Sequence, residues 1–303
     1  GSRAQAHEPL RVHGAALMFV FALRRAAGRT LCGATGGLLA IAGLSHQKLH
    51  KVHAVQCQAT ASQYSNSRPV TVHLTGFGPF GGIAENPTSI VCRILRDYIH
   101  EGKAPDGVSV ALLKEFSSAG IDVEGLEALE VSAEACCTNA QRIVQGLTEA
   151  SHTDAAALVH LGVSSSLTRI QLECRGVNVA DFRIPDVRGW QPKGEVIIAD
   201  AEPVLYTAFR LPEILGELRD RGVQCDISTD AGRYLCNYIF FSSLHMARPS
   251  GIPVLFVHVP CFEAMDSATQ VAAVLCLLLS VARQLRGQAP APKGPGFTSK
   301  PLG

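Results

Sequence analysis

From Pro69 onward the chain alternates between segments with the period of a strand and segments with the period of a helix. Val70–Thr75 is β-branched and alternating, which predicts a strand. A glycine-rich loop follows, Gly76-Phe-Gly-Pro-Phe-Gly-Gly82. Asn86-Pro-Thr-Ser then signals a helix start, and Ile90, Val91, Ile94, Leu95 and Tyr98 share one face up to about His100. Val108–Phe116 reads as a second strand and Ala133–Leu147 as a helix. The unbroken apolar run Ala155–Val163 reads as a strand buried on both faces. Arg169–Asp181 alternates, suggesting one or two strands in a hairpin-like arm. Ile184–Gly194 is a Pro/Gly-rich loop around the single tryptophan, Trp190. A helix near Pro212–Arg221, a strand at Val223–Ile227, a buried helix at Tyr238–Met246 and a strand at Pro253–Val259 come next. The two strands are taken as neighbours. The last helix is Ser267–Arg286, whose core, Val271–Ala282, is too short for a bilayer. This order predicts an α/β protein, a three-layer α/β/α sandwich with a mostly parallel or mixed central sheet. No internal repeat and no second boundary follow residue 69.

Residues 1–69 have a different character. No Asp or Glu lies between Pro9 and Ala84, whereas Arg11, Arg24, Arg25, Arg29, Lys48, Lys51 and Arg68 are present. The apolar patches Ala15–Leu23 and Leu31–Leu44 are short for a membrane span. The segment reads as a disordered or targeting extension, for example an organellar transit peptide from Met18. A signal anchor or translated upstream sequence are the other readings. The folded unit is expected over residues 70–286, with a loose Pro/Gly-rich tail at 287–303.

The 303 residues are 47% hydrophobic, enough for a sizeable core, and carry a net charge of +1. That charge gives no reason to expect a nucleic-acid partner, and the folded unit is expected to carry no membrane segment. The ten cysteines form no CxxC pairs and no Cys/His ladder. They read as reduced thiols in an intracellular protein, with neither a disulfide framework nor a zinc site. The cytoplasm is the expected compartment, or mitochondria or another organelle if residues 1–69 direct import.

Candidate chemistry sits in four places. Cys236 would lie in the opening turns of its helix, where unpaired N–H groups favour a thiolate. It is either a nucleophile or a buried structural cysteine. Glu173 stands on an alternating apolar segment, where it could orient a histidine or simply face solvent. His258 ends a buried strand, the place where sites form in open α/β sheets, or is a hydrogen-bonded core residue. Arg183, in Asp181-Phe-Arg-Ile-Pro-Asp186, could donate to an oxyanion or sit in a surface ion pair. The loop Gly76–Gly82 matches GxGxxG, the dinucleotide fingerprint. Phe77, Pro79 and Phe80 fill it with stiff groups, and no acidic residue lies at the expected distance, since Val108–Phe116 only reaches Glu115. The two Phe rings fit better as walls for a small, flat, neutral ligand, or as core plugs.

Taken together, these segments resemble the pyroglutamyl peptidase I family of cysteine peptidases (family C15) from about Val70 to Arg286. The motifs that carry the resemblance are Thr75-Gly-Phe-Gly-Pro-Phe-Gly-Gly82 with Asn86-Pro87, and Glu173 with Asn178. Then come Arg183-Ile-Pro-Asp186, Gln191-Pro192, Asp230-Ala-Gly-Arg-Tyr-Leu-Cys-Asn237 and Phe256-Val-His-Val-Pro260. The resemblance implies a Cys236–His258–Glu173 triad, transition-state support from Arg183, and pyroglutamyl-pocket walls from Phe77 and Phe80. It implies peptide substrates with an N-terminal pyroglutamate, and no metal or organic cofactor. A homo-oligomer is left open. The chain departs from the family at Gly162-Val-Ser-Ser-Ser-Leu-Thr168 and at Cys261. The rival readings are a catalytically silent binding protein with the same fold, and a dinucleotide-binding oxidoreductase.

Overall fold

A computed structural model of the chain describes residues 69–83, 85–150 and 155–287. The targeting segment and the loose tail read from the sequence lie outside these residues, apart from Pro69 and Gly287. Six strands form the main sheet, in the order β2-β1-β3-β8-β4-β7. They are β1 (Val70–Phe77), β2 (Ile121–Leu129), β3 (Ala155–Val163), β4 (Ile170–Glu173), β7 (Cys225–Ser228) and β8 (Val254–Val259). Strands β2, β1, β3 and β8 are mutually parallel; β4 runs antiparallel to β8, and β7 runs parallel to β4. A separate two-stranded ribbon joins β5 (Arg175–Val177) to β6 (Val204–Tyr206).

Side-chain alternation assigns the helices to layers. Ala155, Ala157, Val159 and Leu161 of β3 face a core shared with α1 (Pro87–Glu101), α2 (Val110–Ser118), α4 (Leu211–Asp220) and α6 (Ser267–Leu285). Ala156 and Leu158 face the opposite core, built with α3 (Ala133–Ala150) and α5 (Leu235–Ala247). The architecture is the α/β/α sandwich with a mixed, mostly parallel sheet that the element order predicted. Helix α6 is long and apolar enough to cross a bilayer, unlike the shorter core read from sequence. Its buried residues run unbroken from Ala273 to Ala282, so that apolarity fills one layer of the sandwich.

Two segments differ from the sequence reading. Val108–Phe116 is not a strand: Val110–Ser118 is helical, with Leu112, Leu113 and Phe116 buried at helical spacing. The strand lies just beyond, at β2, where Asp122, Glu124, Gly125 and Glu127 mask the pattern. A bulge inserts Leu126 opposite the Leu74–Thr75 step, switching the phase of the alternation. Gly125 and Leu126 both take positive φ, 77° and 53°. A Cβ on Gly125 would collide with the His73 ring, so that position requires glycine. The Arg169–Asp181 arm is not a hairpin either. β4 enters the main sheet between β8 and β7, while β5 turns away to pair with β6. The two strands taken as neighbours, β7 and β8, are therefore separated by β4.

Candidate active site

The register of β4 against β8 builds the centre of the site. Glu173 lies opposite Phe256 and Gln171 opposite His258, so Glu173 and His258 are diagonal neighbours on one face. Long side chains bridge that spacing. Glu173 Oε1 lies 2.7 Å from His258 Nδ1, and Glu173 is wholly buried. The solvated-face reading of Glu173 is thus replaced by a buried carboxylate against a buried imidazole.

Cys236 is the second residue of α5, which packs on the same face. Its sulfur lies close enough to His258 to act on the charge of the ring. With Nδ1 committed to Glu173, Nε2 is the nitrogen left to exchange a proton with the thiol. Burial alone would lower the His258 value. The neighbouring Cys236, followed by Glu173, overcomes burial and pushes it up to about 10. Gly162 of β3, register partner of His258, leaves the space the thiol occupies. A Cβ there would stand 2.6 Å from Phe256 Cζ and 3.1 Å from Cys236 Sγ.

Helix α5 begins at Tyr234 with no side-chain cap, and its first helical bond is Tyr238 N–H to Tyr234 O. Its opening N–H groups therefore remain available beside the thiol. Asn237 secures the same turn: its amide accepts from Val177 N–H at 2.8 Å and donates to Val177 O and Val179 O.

The loop Gly76–Gly82 folds onto the start of α1. Phe77 N–H donates to Thr88 Oγ1 at 2.8 Å, and Asn86 donates to Gly78 O while capping Thr88 N–H. A Cβ on Gly76 would lie 2.7 Å from Thr88 O. The glycine there serves the chain's approach to itself, which leaves the dinucleotide reading without support. Phe77 is buried and Phe80 half-buried, in the apolar cluster that also holds Tyr234 and Cys236. Phe80 and Tyr234 stand with ring centroids 6.2 Å apart.

Arg183 lies exposed on the following loop, its side chain in no ion pair with the described residues. Asp186 fixes that loop. Its carboxylate accepts from Ala133 N–H at the start of α3, and from Arg188 and Trp190 N–H. Sequence reasoning placed Asp186 in a motif without a role, and missed Tyr234 and Gly162. For Tyr234 the available signal was an aromatic residue two positions before the candidate nucleophile. Gly162 had none, because its need arises from β8 and α5. The eight cysteines among the described residues are free thiols. No group of three His, Cys, Asp or Glu among those residues is placed to hold a metal ion.

Comparison with known proteins gives a consistent result. The family model described as Pyroglutamyl peptidase matches residues 114–284. The pyrrolidone-carboxylate peptidase of Pyrococcus furiosus is 31% identical over 191 residues, covering 62% of this chain and 80% of that protein. That of Thermococcus litoralis is 32% identical, covering 62% and 76%. The solved pyrrolidone carboxyl peptidase from Thermococcus litoralis superposes with a TM-score of 0.59 at 25% identity, over 73% of this chain and 98% of that one. The matched residues span Glu173, Cys236 and His258 and include both departures noted in the sequence. The chain belongs to the pyroglutamyl peptidase family.

Proposed function

We propose that this protein is a pyroglutamyl-peptidase I, a cysteine exopeptidase that releases an N-terminal pyroglutamyl residue from peptides, with residues 70–286 as the catalytic unit. The observation that carries the reading is the buried His258–Glu173 pair beside the half-buried Cys236, together with family membership. His258 holds the Cys236 proton, giving a thiolate–imidazolium pair, and Glu173 fixes the imidazole tautomer and offsets its charge. The thiolate attacks the pyroglutamyl carbonyl, and the oxyanion falls to the uncapped N–H groups of α5. Arg183, on the exposed rim, is proposed to assist that charge. His258 then protonates the leaving amine, a thioester remains on Cys236, and water hydrolyses it with His258 as base. A pyroglutamyl ring is flat and carries no charged amine. Phe77 and Phe80 are proposed as the walls that receive it.

The test is turnover of a pyroglutamyl-coumarin amide, with prolyl amide as the control. The pyroglutamyl substrate alone should be cleaved, and iodoacetamide should abolish the activity. Binding without turnover would favour the silent binding protein. The pH profile carries a second expectation. The working imidazole is protonated, and its raised value keeps it so far above the ordinary value of about 6.5. kcat/KM should therefore fall on the alkaline side only as pH rises through about 10. A fall near the ordinary imidazole value would remove the ion pair from the mechanism.

A further inference from the structure

A second buried histidine lies directly beneath the site, and the mechanism above does not use it. His160, in β3, precedes Gly162 by two residues and so points to the same face, under α5. It is wholly buried. Its Nδ1 is 2.7 Å from Thr75 Oγ1 in β1, and its Nε2 is 2.9 Å from Ser243 Oγ in α5. Thr75 and Ser243 are themselves wholly buried. Burial, then the neighbouring His73, push His160 down to about 3, so the ring is neutral. A neutral imidazole donates through one nitrogen and accepts through the other. Both nitrogens are therefore matched by a hydroxyl, and the chain Thr75–His160–Ser243 closes without a charge.

Cys236, Phe240 and Ser243 stand at i, i+4 and i+7, on one stripe of α5. Each meets a different part of the sheet: Cys236 meets Gly162 and His258, Phe240 meets Phe256 at 5.8 Å between centroids, and Ser243 meets His160. The ring contact is apolar, and apolar burial is non-directional. Gly162 offers no side chain to resist sliding. Apart from the Cys236–His258 contact, His160–Ser243 is the only side-chain hydrogen bond from α5 to the six-stranded sheet among the described residues. Asn237 ties α5 to β5 instead, outside that sheet.

We infer that His160 and Ser243 are positioning residues that set the axial placement of α5 on the sheet, and so hold the Cys236 sulfur in line with His258. Buried in the core, they act through the helix and not on substrate. The inference rests on the proposed role of Cys236, and the experiment separates the two.

The test uses Ser243→Ala, which removes one hydroxyl with little change in volume, and compares His160→Leu with His160→Gln. Two quantities are read: pyroglutamyl-amide kinetics, and the rate of iodoacetamide alkylation at Cys236 by site-resolved mass spectrometry. Ser243→Ala and His160→Leu should lower kcat by about 10- to 100-fold, the scale of a small misplacement of a reacting group, with KM unchanged. Alkylation at Cys236 should slow in parallel. His160→Gln, which keeps an acceptor and a donor, should recover most of both. If the variants fold and lose only melting temperature, with kcat and alkylation at parental values, the inference is overturned. Alkylation needs no substrate. A parent inactive on pyroglutamyl amides, with Cys236 alkylation still slowed by Ser243→Ala, would sink the proposed activity and leave the positioning role standing.

Discussion

Cys236→Ala should reduce release of coumarin from a pyroglutamyl amide by on the order of 10⁵- to 10⁶-fold, the loss found when one member of a cooperating nucleophile–base unit is removed. The sulfur is the atom that bonds the acyl group, so no neighbouring side chain can substitute. Cys174 lies on the β4–β5 arm and Cys261 beyond β8, and neither is paired with His258. Pyroglutamyl peptide binding, measured by calorimetry, should be retained, since the proposed pocket walls Phe77 and Phe80 are untouched. The same variant tests the electrostatics. Cys236 is the main cause of the raised His258 value, so that value should drop when the sulfur is removed. NMR titration of the His258 ring would register the drop. Turnover within tenfold of the parent would end the nucleophile assignment.

Glu173→Gln should cost about 10²- to 10⁴-fold in kcat, as when a buried carboxylate behind a catalytic histidine becomes an amide. The substitution keeps shape and removes charge. Glu173 Oε1 is the partner of His258 Nδ1, while Oε2 is buried without a hydrogen-bond partner among the described residues. An amide that turned its NH₂ toward the ring would donate to Nδ1 and leave the ring proton on Nε2, so that nitrogen could not take the proton of the sulfur. With the carboxylate charge gone, the imidazolium is less favoured. The alkaline limb of kcat/KM should therefore move to lower pH, the direction opposite to the raising effect of Glu173. A pH–rate profile of the variant supplies both measurements. An unshifted limb with kcat within threefold would show that Glu173 is only a core residue.

These expectations rest on residues that were legible in the sequence to different degrees. Cys236, Glu173 and His258 stood out because each sits in a short motif, and the order of motifs matched a family. Their mutual placement was not legible. It depends on β4 running antiparallel beside β8, a pairing between segments about 85 residues apart. A slip of one residue in that register would turn Glu173 to the opposite face. The alternating pattern of Arg169–Asp181 announced strands but not their partners. β2 was missed because its charges and its bulge break the alternation, and it was replaced by the neighbouring α2, whose apolar residues are denser. Arg183 and the two Phe residues were read as site residues from motif alone. The fold keeps Phe77 and Phe80 in the Cys236 cluster and leaves Arg183 at the rim.

The position of β8 bears on how the molecule is made. It is the last strand among the described residues, yet it lies between β3 and β4 in the middle of the sheet. Until residues 254–259 have left the ribosome, β3 and β4 have no partner along those edges. Unpaired strand edges invite pairing with other chains. The sheet therefore cannot close until that late strand has emerged. A nascent chain stopped before β8 should depend on chaperones to stay soluble.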